Sequence, residues 1–212
     1  MRGKVRGNPW LDIWVRPRDT IRHIVSTNPK YGFLALCALN GFPMAMNFAQ
    51  SMSLGLALPT WALIIGAFIV CGFLGFVSIS LSSLLILWTG KWIGGMGNYT
   101  TIRSAVAWSN VPNFITSLTW LALLAVFGGL VLNQGFSETS FVGYQAGIVF
   151  IIFLIQSIVS IWGFIILLKT VAEVQEFSVW RALLNVVIPF IIVVALIWLV
   201  GWLIWGTSSI VK

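Results

Sequence analysis

The chain has 212 residues, 59% of them hydrophobic and 8% charged, with a mean hydropathy of +0.99. A soluble globular domain carries about 25% charged and about 45–50% apolar residues. This chain has too little polar surface to clothe a soluble fold, and its apolar excess equally excludes disorder. The class that remains is an all-α integral membrane protein. The 12 basic and 5 acidic residues leave a formal charge of +7, concentrated ahead of the first apolar run.

Residues 1–30 form a basic amphipathic segment holding Arg2, Lys4, Arg6, Arg16, Arg18, Arg22 and Lys30. Over residues 17–27, Pro17 suits a first helical position. Ile21, Ile24 and Val25 fall on one side of that helix, and Arg18, Asp19, Arg22 and His23 on the other. Asn28-Pro29 ends it. Trp10, Ile13 and Trp14 extend the apolar face upstream. The segment is expected to lie on the inner leaflet with its cations toward anionic lipid headgroups; packing against the cytoplasmic ends of the bundle is the alternative. His23 reads as an interfacial side chain. No recognition motif accompanies the basic charge, so nucleic acid is not an expected partner.

Five apolar stretches follow, at 31–54, 61–88, 114–132, 143–168 and 183–205, without Lys, Arg, Asp or Glu inside them. Each is near or above the ~20 residues a helix needs to cross a hydrocarbon core of ~30 Å. The second, about 42 Å long at ~1.5 Å per residue, must tilt or protrude. No apolar run precedes residue 31, so no cleaved targeting segment is expected. In the first stretch Asn40, Asn47 and Ser51 share a face, and Pro43 between them deprives the Leu39 carbonyl of its helical donor. In the second, Ala67, Cys71, Gly75, Ser78 and Ser82 make a narrow small-residue stripe that lets another helix, or a second copy of the chain in a homo-oligomer, come close. In the fourth, Gln145, Gln156, Ser160 and Gly163 line up; in the fifth, Pro189 predicts a kink. Asn40, Asn47, Gln156 and Ser160 are either interhelical glue or the lining of a polar path between the first and fourth helices. A transport path usually adds a mid-membrane charge or a repeated half, and neither is visible, which favours packing.

The connection after the second stretch carries Lys91, Gly94, Gly95 and Gly97, then an amphipathic piece over 100–108 with Arg103. Its glycines suit a phosphate cradle or a tight turn anchored by Trp92 and Tyr99; no Walker or dinucleotide motif is present. The Asn98-Tyr99-Thr100 acceptor pattern falls on the side expected to be cytoplasmic and is discounted. The connection after the fourth stretch carries Lys169, Glu173, Glu176 and Arg181. Glu173 and Glu176, three apart, are expected on one helix face, paired with Lys169, Arg181 or the basic segment as a salt-bridged cap. Cys37 and Cys71 lie in apolar runs and read as buried thiols. No nucleophile with a base, no metal-ligand set and no cofactor motif appears, so neither an enzyme nor a cofactor is expected. Alternate sides of the membrane collect eleven basic residues against one, Lys212. The positive-inside rule then puts the N-terminus in the cytoplasm and the C-terminus outside.

Three stretches resemble one family in order. They are Asn8-Pro9-Trp10 through Trp14 to Arg22; Trp88-Thr89-Gly90-Lys91-Trp92-Ile93-Gly94-Gly95-Met96-Gly97 continuing to Val111-Pro112; and Leu168-Lys169-Thr170-Val171-Ala172-Glu173-Val174-Gln175 continuing to Leu183. The chain resembles the Yip (Ypt-interacting protein) domain family, in its bacterial branch. The resemblance implies a five-helix Yip-type domain over 31–212, a place in the bacterial inner membrane, and no catalytic residues. Eukaryotic relatives bind Rab-type GTPases and help shape vesicles through a long cytoplasmic N-terminal region; with about thirty residues before the first span, that role is not carried over. The positions it brings forward are Lys91, Gly94, Gly95, Pro112, Lys169, Glu173, Glu176 and Arg181. With Arg103 added and Pro112 set aside, they are the candidate cytoplasmic surface for membrane lipids or a protein partner. The expected function is non-enzymatic membrane organisation or binding through that surface, with a small channel or transporter as the alternative.

Overall fold

The computed structural model describes residues 7–139 and 141–210, with the backbone alone at 137, 138 and 203–210. Arg2, Lys4, Arg6 and Lys212 lie outside the described residues. The chain forms α1 (Pro9–Val15), α2 (Pro17–Thr27), α3 (Phe33–Ser51), α4 (Thr60–Trp92), α5 (Tyr99–Ser109), α6 (Asn113–Phe127), α7 (Tyr144–Val174) and α8 (Val179–Ile210), with short 3-10 turns at Leu54–Leu56, Gly128–Leu132 and Gln134–Glu138.

Proline chemistry separates α1 from α2. Asn8 caps α1, its side-chain oxygen accepting from the Trp10 N–H at 3.1 Å. Arg16 leaves helical geometry (φ −128°, ψ 60°) because Pro17 follows it, and Pro17 then opens α2. Asn28, before Pro29, is extended and ends α2 where the sequence places the stop. The expected single amphipathic surface is thus two helices, and its apolar side turns into protein. Ile13, Ile21 and Ile24 are buried in one core with Ile102 and Trp108 of α5 and Val171 of α7. Arg16, Arg18, Arg22, His23 and Lys30 stay exposed.

Among the described residues, four segments are long and apolar enough to cross a membrane: Thr60–Trp92, Asn113–Leu132, Tyr144–Val174 and Val179–Trp202. The sequence reading expects five. The missing one is α3, whose 19 residues include Asn40, Pro43, Asn47 and Gln50 and so fall short in hydropathy. It nevertheless packs lengthwise and antiparallel against α4. A Cβ at Gly41 would fall on the Cys71 carbonyl, and one at Gly75 on the Cys37 carbonyl. Glycine at both positions is what lets the two backbones touch.

The 100–108 piece, read from sequence as an amphipathic part of the connection after the second stretch, is buried far more completely than one apolar face would require. Within α5, Ile102 and every residue from Ser104 to Ser109 are buried. Ser104, Ala105, Ala107 and Ser109 are small enough to admit α4 and α7 on either side. The chain turns at Asn110–Pro112 and restarts as α6, whose Asn113 reaches Asn40 of α3. The break between α5 and α6 therefore lies about two turns along α3, inside the bundle. From there α6 runs parallel to α3, and at the far end Gln50 donates to the Val131 carbonyl at 2.9 Å.

Candidate functional site

The basic connections and the N-terminal helices converge on one end of the bundle. Arg22 Nε donates to Glu173 Oε1 at 2.6 Å, latching α2 to the last turn of α7, and a second contact to Asp19 spans 3.7 Å. The hydrogen bond and charge of Glu173 raise the guanidinium above its ordinary value. A raised base contributes stability below its ordinary titration range and loses it only as pH climbs through the raised value, so alkaline conditions in the working range do not open the latch. Arg22 is largely exposed, and the pair is expected to contribute about 0.2–1 kcal/mol in a double-mutant cycle of Arg22→Ala with Glu173→Ala. The cycle is read by thermal unfolding in detergent, and its coupling should shrink as salt rises. Arg103 takes no carboxylate; its guanidinium stacks over Phe33 (4.5 Å) and Tyr99 (5.3 Å).

Glu176 does not share a face with Glu173. Gln175 caps α7, and Glu176 sits beyond it with φ +58°. The Phe177 N–H bonds the Ala172 carbonyl at 2.8 Å and the Glu176 N–H bonds that of Glu173 at 3.4 Å. This is a Schellman ending with glutamate where glycine is usual, which is why the stop is not marked in sequence. Lys169, Glu176 and Arg181 make no ion pair among the described residues, so the expected salt-bridged cap reduces to Arg22 with Asp19 and Glu173.

The glycine loop folds around one buried side chain, Gln175. Its Oε1 accepts from the Gly97 N–H at 3.1 Å, its Nε2 reaches the Ile86 carbonyl at 3.4 Å, and its own carbonyl accepts from Met96 at 3.3 Å. Side chains at Gly90 or Gly95 would strike the Gln175 amide. The remaining loop N–H groups are also taken: Gly95 bonds the Gly90 carbonyl, Gly94 that of Lys91, and Asn98 the Thr101 hydroxyl in the capping box of α5. The loop is a wrapper and not a phosphate cradle. Gln175→Leu, close to isosteric, should strand the Gly97 donor and cost about 1–3 kcal/mol, measured as lost thermal stability, and Gln175→Glu should be no milder, because it buries a carboxyl whose second oxygen meets the Ile86 carbonyl.

A second polar joint ties α4 to α8. Pro189 denies the Asn185 carbonyl its helical donor. The Thr89 hydroxyl stands 3.1 Å from that carbonyl and 2.7 Å from the buried Asn185 Oδ1. Gln175, Asn185 and Thr89 do not emerge from the sequence reading; an asparagine four residues before a helical proline is a local signal that marks Asn185, but it does not point to Thr89 as the partner.

The other polar candidates are dispersed. Asn113 Nδ2 donates to Asn40 Oδ1 at 3.1 Å and to Asn110 Oδ1 at 3.2 Å. Gln156 Nε2 donates to Thr119 Oγ1 of α6 at 2.9 Å, and Asn47 Nδ2 to the Pro43 carbonyl at 2.7 Å. Ser160 is exposed on α7. Asn40 and Gln156 thus each pair with α6 instead of facing one another, and α3 and α7 share no packed face.

These features define an all-helical integral membrane protein whose N-terminal helices clamp onto one end of its apolar bundle. The family model described as the Yip1 domain matches residues 11–201, from α1 well into α8, and the chain belongs to that family. No curated protein and no solved structure matches it.

Proposed function

We propose that this is a non-enzymatic, five-span protein of the bacterial inner membrane, with α3 as its first span, a cytoplasmic N-terminus and an outside C-terminus. Its basic end holds anionic lipid headgroups and so organises the membrane around it. The observation that carries this reading is the composite surface of that end. Exposed Arg16, Arg18, Lys30, Lys91 and Arg181 stand beside exposed Leu11, Val15, Trp92 and Trp180. Cations next to apolar and tryptophan side chains match the boundary between headgroups and acyl chains. The latch and the wrapped glycine loop keep that surface in one shape, so it acts as a preformed plane for lipid or a partner.

Purified protein exchanged into mixed phosphatidylcholine and phosphatidylglycerol, with the retained lipid measured by mass spectrometry, tests the reading. A wild-type preference for phosphatidylglycerol is expected, falling at least tenfold in the Arg16→Gln, Arg18→Gln, Lys30→Gln, Lys91→Gln variant at low salt. Each cation near an anionic surface contributes about 1 kcal/mol, so four removed charges are ample for that change. Equal retention of the two lipids by wild type, or an unchanged preference in the folded variant, would exclude it.

A further inference from the structure

Beyond their joint at Thr89 and Asn185, α4 and α8 diverge, with Pro189 of α8 at the point of separation. The wedge between them is a cavity of about 380 Å³, within the ~300–1,000 Å³ common for small-ligand sites. Asn40 of α3 and Asn110, at the break between α5 and α6, stand in its wall. Ser78 and Ser82 of α4 line it as well, and Phe190 and Val193 of α8, both exposed on the bundle surface, line it too.

The polar groups in this cavity are underused. Elsewhere on α4, Ser83 and Thr89 donate back to the carbonyls of Ile79 and Leu85. Ser78 and Ser82, four apart and on one face, make no such bond. Asn40 offers its amide only to the Met44 sulfur at 3.7 Å, a weak acceptor. No charged side chain lines the cavity. Burying an ionised headgroup there would cost far more than a neutral one. The volume has no room for a two-chain phospholipid, while the apolar remainder of the lining suits one hydrocarbon chain.

We propose that this cavity is a binding site for a neutral single-chain lipid. Its hydroxyl or carbonyl head bonds Ser78, Ser82 and Asn40, and its tail leaves past Phe190 and Val193 into the membrane. The site is independent of the anionic surface at the basic end, since it uses none of the cations there.

The full chain in phosphatidylcholine nanodiscs, irradiated with a monoacylglycerol carrying a diazirine in its acyl chain and mapped by peptide mass spectrometry, tests this. Labelling is expected on α4 around Ser78–Ser82 and on α8 around Phe190–Val193, displaced by unlabelled monoacylglycerol. Losing two neutral hydrogen bonds is expected to reduce it roughly five- to tenfold in the Ser78→Ala, Ser82→Ala variant, which keeps the space. Val193→Trp, at an exposed position in the cavity wall, should reduce it equally by obstruction, and it keeps the test open if the serine variant fails to fold. A diazirine fatty acid of the same length, ionised, should label at least fivefold less. Labelling spread along α7 and α8 without displacement, equal labelling by the ionised probe, or full labelling in the folded variants would overturn the proposal.

Discussion

Gly41→Leu and Gly75→Leu are each expected to separate α3 from α4 and leave little folded protein. The added Cβ in either case lands on a backbone carbonyl of the facing helix, Cys71 or Cys37, which no rotamer change can move aside. Overpacking a core ordinarily costs about 1–3 kcal/mol because side chains yield; here a helix must retreat, so even alanine should sit at or above the top of that range. Thermal unfolding in detergent, followed by the fluorescence of the 12 tryptophans, should show Gly41→Ala and Gly75→Ala melting at least about 6 °C below wild type. Gly72, on the same helix with nothing near its Cβ position, is the internal control, and Gly72→Ala should melt with wild type or slightly above. An unshifted transition in Gly41→Ala would show that the two helices do not cross at these glycines.

That crossing shows where the sequence is legible and where it is not. Apolar runs long enough to span a membrane announce themselves through one-dimensional length, and four of the five expected stretches recur as long helices with ends moved by a few residues. The fifth, α3, is shortened in hydropathy by the amides that make it interesting. The small-residue stripe on α4 was visible, but its partner was not, because Gly41 follows Asn40 and merges with a polar face. The matching signal is a repeated spacing, Cys37 to Gly41 and Cys71 to Gly75, meaningful only once the two helices are known to be antiparallel.

Elsewhere the information lies in partner choice, which no local pattern encodes. Gln175 and Asn185 are single amides, and sequence offers no sign that the first is wrapped by glycines, Gly97 among them 78 residues upstream, or that Thr89 stands against the second, whose carbonyl Pro189 leaves free. Glu176 occupies a left-handed position where glycine would have marked the helix end. α5 looks like an amphipathic part of a connection because Lys91 and Arg103 bracket its start, yet Arg103 spends its charge on aromatic faces and the small residues behind it sink into the bundle. Lys91 and Arg181 are exposed, as their charge demands, but the ion pair expected for Arg181 does not form among the described residues, because Glu176 leaves the helix face it was to share with Glu173.

Trp108→Ala is the second large effect, and it separates two ways of holding the N-terminal helices. The Trp108 ring is fully buried, stacked on Tyr31 at 6.0 Å and 12° and tilted against Trp10 at 5.1 Å, so it joins α1, the turn ahead of α3 and α5 in one contact. Truncating a buried tryptophan costs about 3–5 kcal/mol, expected as a fall in melting temperature of at least about 6 °C. Its indole N–H has no partner among the described residues, so Trp108→Phe gives up no hydrogen bond and should recover most of the loss through the retained ring stacking. The local consequence is more diagnostic than the global one. With the aromatic anchor gone, the Arg22–Glu173 pair and the isoleucine face are left to hold α1 and α2, and trypsin should cut after Arg18, Arg22 and Lys30 well before it cuts wild type; the Arg16–Pro17 bond resists it. Trp180→Ala, on an exposed ring, should change neither melting nor cleavage. If Trp108→Ala melts lower but resists trypsin as wild type does, the isoleucines and the latch suffice to dock the segment, and Trp108 acts on the bundle alone. Early cleavage restored to the wild-type rate by Trp108→Phe would instead make ring stacking the force that keeps the basic surface in place.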